Sequence, residues 1–272
     1  MMNRWLFEHL PTLRQWLTRI SYEYISKFDK DVKVLFMNYG YADLDPSAER
    51  LELGAEDEEQ RYQIQLYHHV ASAIDWSRAK ALEVSSGRGG GADYIHRRFQ
   101  PHKFTGVDFS TEAVRFCSRY YSAEGLSFEQ GDAESLHFPD NAFDVVLNLE
   151  ASLYYPDVER FFSHVVRILK PGGHFLYADM RYTEEIEAWR TQLKNTGLEL
   201  LKEEDITPNV IGALALDQER KRDLVKRYTP RVLHKAFTHF GGISNDGLAR
   251  GEPKEGERNY MFFVYRKKDV VL

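Results

Sequence analysis

Between Ala81 and Asp179 short apolar runs alternate with amphipathic stretches, a pattern that predicts strands and helices in turn. Ala81-Leu82-Glu83-Val84 reads as a buried strand, Phe104-Thr105-Gly106-Val107 as a second, and the alternation Leu126-Ser127-Phe128 as a third. Phe143 to Leu149 is a fourth, and Leu169-Lys170-Pro171-Gly172-Gly173 leads into a further one. Such alternation implies a parallel, doubly wound α/β sheet with helices on both faces. Downstream, Leu198 to Ile206 suits another strand, Val210 to Phe240 has helical spacing and many charges, and Tyr260 to Tyr265 would close the sheet.

Ahead of this region, Trp5, Leu6, Leu10, Leu13, Trp16, Leu17, Ile20 and Tyr24 recur at helical spacing, so residues 1 to about 35 present a wide apolar face. Packing on the body of the protein would cover it; a second subunit, making a homo-oligomer, or a membrane surface would do the same. Glu49 to Glu59 is acidic enough to stay solvated and is expected to be a mobile link. Helix resumes near Gln60 and carries Gln65-Leu66-Tyr67-His68-His69-Val70. The organisation that follows is a helical cap and acidic linker over residues 1–59, then a ligand-binding domain over 60–272 with a cap insertion at about 207–258. Gly241 to Arg258 reads as a loose connection.

The first strand stops in Ser85-Ser86-Gly87-Arg88-Gly89-Gly90-Gly91. A turn with so few side chains lets a ligand approach the backbone, and the amides that open the next helix favour an anion. Tight surface turns also collect glycine. What separates the two readings is Asp108, which ends the second strand about 20 residues on, the spacing at which a carboxylate meets a ribose in doubly wound folds.

Composition narrows the partners. The chain of 272 residues has a formal net charge of −6 and no sustained Lys/Arg block, which argues against nucleic acid and favours a small molecule. No run approaches the roughly 18 apolar residues of a membrane span, and no secretory pattern opens the chain, so a cytoplasmic protein is expected. The single cysteine, Cys117, excludes an internal disulfide and reads as packing. Neither the adjacent His68 and His69 nor His234 and His239 have spacing suited to a shared metal, and no metal site is expected.

In order, the glycine turn, the strand ending in Asp108, Gly131-Asp132-Ala133-Glu134, the strand Phe143 to Glu150 and Leu169 to Gly173 resemble the class I S-adenosylmethionine-dependent methyltransferases over roughly residues 60 to 180. The resemblance implies a Rossmann-like seven-stranded sheet, S-adenosyl-L-methionine as cofactor and S-adenosyl-L-homocysteine as product. It assigns Gly87 and Gly89 to the methionine part, Asp108 to the ribose hydroxyls and Asp132 with Ala133 to the adenine edge. Gln65, Glu83, Phe109, Asn148 and Leu149 complete the implied cofactor set. Ser85 also belongs to it, although the family usually has glycine there; either the turn differs or the hydroxyl serves a local hydrogen bond.

Methyl transfer is an in-line displacement, so the protein must hold the acceptor against the methyl carbon and exclude water. A base is needed where the acceptor loses a proton. Glu150 is the candidate, just past the carboxyl end of the fourth strand, where open α/β sheets bind ligands. Asn148-Leu149-Glu150-Ala151-Ser152 and Tyr154-Tyr155-Pro156-Asp157 resemble the corresponding segments of sterol and prenyl-diphosphate C-methyltransferases, and more closely those of phthiotriol dimycocerosate O-methyltransferases. Phe36-Met37-Asn38-Tyr39-Gly40-Tyr41 resembles the aromatic segment that sterol methyltransferases lay over cofactor and substrate. Tyr39 or Tyr41 could face the sulfonium, with about 0.5–2 kcal/mol of cation–π attraction, and Tyr41, Tyr154 and Tyr155 are expected in the acceptor pocket. The expected reaction is O-methylation of an apolar polyketide, terpenoid or lipid. The alternatives are C-methylation of a prenyl alkene and a protein that binds the cofactor without transferring methyl.

Overall fold

The computed structural model describes residues 34–228, 234, 248 and 254–269. The helix expected over residues 1 to 35 therefore lies almost wholly outside the described residues, as does most of the stretch from 229 to 253. Among the described residues the seven strands are β1 (Lys80–Val84), β2 (Lys103–Asp108), β3 (Leu126–Gln130), β4 (Phe143–Leu149), β5 (Leu169–Tyr182), β6 (Glu199–Asp205) and β7 (Arg258–Arg266). Interleaved with them are α1 (Arg61–Ala71), α2 (Gly90–Phe99), α3 (Thr111–Tyr120), α4 (Val158–Ile168), α5 (Ile186–Asn195), α6 (Thr207–Leu216) and α7 (Gln218–Tyr228).

The strands form one sheet in the order β3-β2-β1-β4-β5-β7-β6. β1 pairs in parallel with both β2 and β4, so the order reverses at β1 and opens a crevice beyond the carboxyl ends of these strands. The parallel pairing expected from the alternation up to Asp179 holds for β1 to β5, and the last strand, β7, runs antiparallel between β5 and β6 instead of closing an edge. After β6 the chain folds through α6 and α7 before returning, and that return brings β7 back in the opposite direction.

Alternation along the strands divides the apolar residues between two faces. Ala81, Val145, Leu147, Leu176, Ala178, Phe262 and Val264 face the cluster that holds Ile64, Leu66, Ile95 and Val210 of α1, α2 and α6. Leu82, Val146, Phe175, Tyr177 and Phe263 face the other, with Phe161, Phe162 and Trp189 of α4 and α5. Burial of each such side chain contributes about 1.5–3 kcal/mol, enough to fix the register. Helix starts are capped locally: Ser110 Oγ accepts from the Ala113 amide at 3.2 Å, and Asp157 Oδ1 from the Arg160 amide at 2.9 Å.

The acidic stretch before α1 is pinned rather than free. Leu51 and Leu53 pack on the core, Arg61 donates to the Leu51 carbonyl at 2.8 Å, and Arg97 pairs with Asp57 at 3.2 Å. Residues 35–42 cross the open side of the sheet as a strap, with the Leu35 and Phe36 amides on Gln60 Oε1 at 3.0 and 3.2 Å and the Ala42 amide on the Asn209 carbonyl at 3.1 Å. Among the described residues no helix is long and apolar enough to cross a membrane.

α1 and α2 meet at Gly91, where a Cβ would come within 2.0 Å of the Tyr67 ring. Gly91→Ala is expected to destabilise the protein by about 1–3 kcal/mol through overpacking. Urea unfolding checks this; an unchanged midpoint would show that the ring relocates freely.

Candidate active site

A cleft with about 890 Å³ of empty space lies over the carboxyl ends of β1, β2 and β4, under the strap. One wall is the β1–α2 turn with Ser85, Ser86, Gly87 and Arg88; another is Asp108, Phe109 and Ser110; the third is Leu149, Glu150, Ala151, Tyr154 and Tyr155. Leu35, Phe36, Met37 and Asn38 of the strap cover it, together with Tyr67 of α1.

The turn departs from β1 through Ser85 at φ +63°, a left-handed conformation usual for glycine, and Gly87 follows at φ +55°. Of the two options left by the sequence, the local hydrogen bond is the one formed: Ser85 Oγ lies 2.6 Å from Tyr155 Oη. Asp108 ties the turn to β2, accepting from the Gly87 amide at 2.8 Å and, through its other oxygen, from the Ser110 amide at 2.8 Å. Burial pushes its ionisation up, and the two amides oppose that.

Two more acids stand at strand ends. Glu83 is buried on β1 and accepts from the Tyr67 hydroxyl at 2.7 Å; burial raises it to about 8, with the Asp108 charge adding to the shift against that hydrogen bond. Glu150 follows β4 at φ +50° and accepts from the Tyr39 amide at 2.8 Å. Burial lifts Glu150 to about 7, opposed by that amide, by Tyr260 and by Lys221. Lys221 of α7 donates to the Tyr39 carbonyl at 3.1 Å, so the strap is held from two sides at one residue. Below Glu150, Asp179 accepts from Ser152 Oγ at 2.6 Å and from the Leu153 amide at 3.0 Å, which fixes the turn carrying Tyr154 and Tyr155.

The methyltransferase domain family matches residues 82–177. A phthiotriol/phenolphthiotriol dimycocerosates methyltransferase of Mycobacterium tuberculosis is 40% identical over 235 residues, covering 86% of each chain. The chain belongs to this methyltransferase family. A fatty-acid O-methyltransferase of Mycolicibacterium smegmatis is 36% identical over 249 residues, 92% of this chain and 89% of that one. Among solved structures the cyclase SpnF shares the fold, with a TM-score of 0.66 at 21% identity over 93% of this chain and 96% of that one. The protein is an S-adenosylmethionine-dependent methyltransferase with an α/β Rossmann-like fold.

The cleft suits that cofactor. Ser86 Oγ and the strap's Asn38 Oδ1, both in the lining, are buried without a hydrogen-bond partner among the described residues, as is Oε2 of the predicted Glu83, which lies outside the lining. An acceptor of this kind beside raised carboxyls matches a ligand that carries an ammonium and a sulfonium.

Of the residues expected from the sequence, Ser85, Gly87, Asp108, Phe109, Leu149, Glu150, Tyr154 and Tyr155 line the cleft. Tyr39 is outside the lining, with its amide on Glu150. Tyr41 is outside the lining, stacked on His69 with centroids 4.3 Å apart, and so is removed from the expected acceptor pocket. At Gly89 the space a Cβ would take is filled by Tyr121 at 2.7 Å and Phe128 at 2.8 Å, so its missing side chain serves aromatic packing. Asp132 caps the turn after β3 by accepting from the Glu134 amide at 2.9 Å, and Ala133 is buried in the core; both lie outside the lining. Gln65 is half-buried on α1, also outside the lining, and Asn148 is buried behind Tyr155. Sequence reasoning missed Tyr67, Asn38 and Arg88 as lining residues, although each stands within a segment already singled out.

Asp108→Ala removes the acceptor for two turn amides and is expected to weaken S-adenosylmethionine binding at least tenfold, given about 1.5–3 kcal/mol for a hydrogen bond to a charged group. Titration calorimetry reads this, and unchanged affinity would remove Asp108 from the cofactor site. The same method tests the electrostatics. A cation entering beside carboxyls held above their ordinary values lowers them again, so binding near pH 7 should release protons. Binding heats that do not vary with the ionisation enthalpy of the buffer would contradict this.

Proposed function

We propose that this methyltransferase transfers the methyl group to an oxygen of an apolar, lipid-type small molecule, with Glu150 as general base. One observation carries the reading: a buried carboxyl with its ionisation lifted to about 7 stands in a wall with Leu149, Ala151, Tyr154 and Tyr155, under the strap's Phe36 and Met37. A base works best with an ionisation near the operating pH, and a base is what a hydroxyl acceptor needs. The relatives named for phthiotriol dimycocerosates and for fatty acids support a lipid-like acceptor.

In this reading Asp108 holds the ribose, Gly87 leaves its backbone open to the cofactor, Glu83 receives the ammonium, and Asp132 lies toward the adenine. The cofactor supplies an electrophilic methyl group. The chain's own work is to orient the acceptor, exclude water with the strap's apolar side chains, and take the acceptor's proton on Glu150. Residues 1–59 and about 207–258 form the cap over the acceptor, supported by the strap's lining role and by Lys221 gripping it from α7. A cytoplasmic setting, supported by the lone buried Cys117, belongs to the same proposal.

A carboxylic acid acceptor, favoured by the fatty-acid relative, would need no base and would set a second carboxylate beside Glu150. The pH profile separates the two. With a hydroxyl acceptor, kcat/KM should rise with pH through about 7 as Glu150 ionises. With a carboxylate acceptor it should fall over the same range. Glu150→Gln should lower turnover about a hundredfold with cofactor affinity nearly intact, in line with the 10²–10⁴ supplied by a positioned base. Labelled-methyl transfer to candidate lipids, with the product read by NMR, identifies an ether, an ester or a carbon methyl; a carbon methyl would overturn the oxygen assignment.

A further inference from the structure

Ser85 and Tyr155 hold one proton that the protein does not use. Asn148, fully buried, spends its amide hydrogens on the Val84 carbonyl and on Tyr155 Oη, each at 2.9 Å. Tyr155 Oη therefore already accepts one bond, and it meets Ser85 Oγ at 2.6 Å. Each hydroxyl brings one O–H, and the contact between them consumes one of the two. Whichever residue donates, the other keeps an O–H with no acceptor among the described residues. Both residues line the cleft.

The sheet order says which part of the cofactor this proton meets. Asp132 follows β3, Asp108 ends β2, Ser85 follows β1 and Tyr155 follows β4, and these strands stand side by side in that order. With the adenine toward Asp132 and the ribose on Asp108, the methionine end falls between β1 and β4, where Ser85 and Tyr155 touch. That end carries a sulfonium and an ammonium, which cannot accept a hydrogen bond, and a carboxylate, which can. The nearby carboxyls of Glu83 and Glu150 would repel it, and the Arg88 guanidinium lies over the Phe116 ring, 3.9 Å from its centroid. Only glycine takes the Ser85 backbone conformation without cost, so the hydroxyl has a use that offsets the strain.

We infer that the Ser85–Tyr155 hydroxyl pair is a binding site for the carboxylate of the cofactor's methionine end, delivering one shared O–H to it. The inference rests on the placement of S-adenosylmethionine proposed above. It moves Tyr155 from the acceptor pocket to the cofactor, and it gives Ser85 a role that the usual glycine could not fill.

S-adenosylmethionine and its decarboxylated form differ only in that carboxylate, so their affinities for one protein isolate it. Ser85→Gly/Tyr155→Phe removes both hydroxyls and restores a residue suited to the turn. By calorimetry the double variant should bind S-adenosylmethionine at least tenfold more weakly, about the loss of one hydrogen bond to a charged group, with decarboxylated S-adenosylmethionine changed by less than about twofold. Equal loss for both ligands, or no loss for either, overturns the inference. If the double variant does not fold, Ser85→Ala and Tyr155→Phe decide: a loss of about threefold or more confined to the carboxylate-bearing ligand in either one supports it. Any other result in both overturns it. A wild-type protein that binds neither ligand overturns the cofactor placement itself, and the inference with it.

Discussion

The hydrogen bond from the Tyr39 amide to Glu150 joins what the chain keeps 111 residues apart, and the active cleft depends on it. Glu150 alone would be an uncompensated buried acid at the end of β4. Such a group is costly to ionise, and burial accordingly lifts it to about 7. The amide supplies a donor without supplying a charge. It therefore limits the shift, leaving the carboxyl able to change protonation near neutrality, and it closes the strap over the cofactor's side of the sheet. Lys221 on the Tyr39 carbonyl extends the same connection to α7. One residue of the strap thus couples the Glu150 carboxyl to the segment between β6 and β7.

Glu83, Asp108 and Glu150 share a cause and an orientation. All three follow or end adjacent strands that run in parallel, so they converge on one edge, and burial is the largest influence on each. In isolation this arrangement is unfavourable, since burial opposes the ionisation of each, and a neighbouring carboxylate adds to that at Glu83, from Asp108, and at Glu150, from Asp179. It becomes favourable once a cation enters. A sulfonium and an ammonium would relieve the opposition and draw the carboxyls toward their charged forms. Cofactor binding and ionisation of these carboxyls are in that sense one electrostatic event, as linkage requires.

Much of the sheet was legible because short, strongly apolar strands stop in turns with few side chains. Val145, Val146 and Leu147 leave little alternative to a buried strand, and Asp108 announces its position by following one. The place of β7 was not legible. Tyr260 to Tyr265 read as a strand, within the observed Arg258–Arg266, but strand order and direction are set by how the chain returns after β6, which no local pattern encodes. The candidate site shows the same division. Glu150 and the Ser85 turn stand at strand ends and could be found by counting. Tyr39 and Tyr41 look alike in sequence, two residues apart, yet one backs onto Glu150 and the other stacks on His69. Gly89 looks like a cofactor glycine, but Tyr121 and Phe128, which explain its missing side chain, come from α3's end and from β3.

Ser85 is where local cost and tertiary return are most clearly separated. A family glycine at that point needs no justification, because it accepts the left-handed backbone freely. A serine there costs stability of order 1 kcal/mol or more unless its hydroxyl is used. The structure supplies Tyr155 from the far side of β4, and Asn148 orients Tyr155 in turn. None of these three side chains lies on the strand or turn of another, so the hydrogen bond forms only when β1 and β4 are paired. The turn's conformation is thus a consequence of the parallel pairing at the switch point, and the hydroxyl at position 155 offsets part of what the departure from glycine costs.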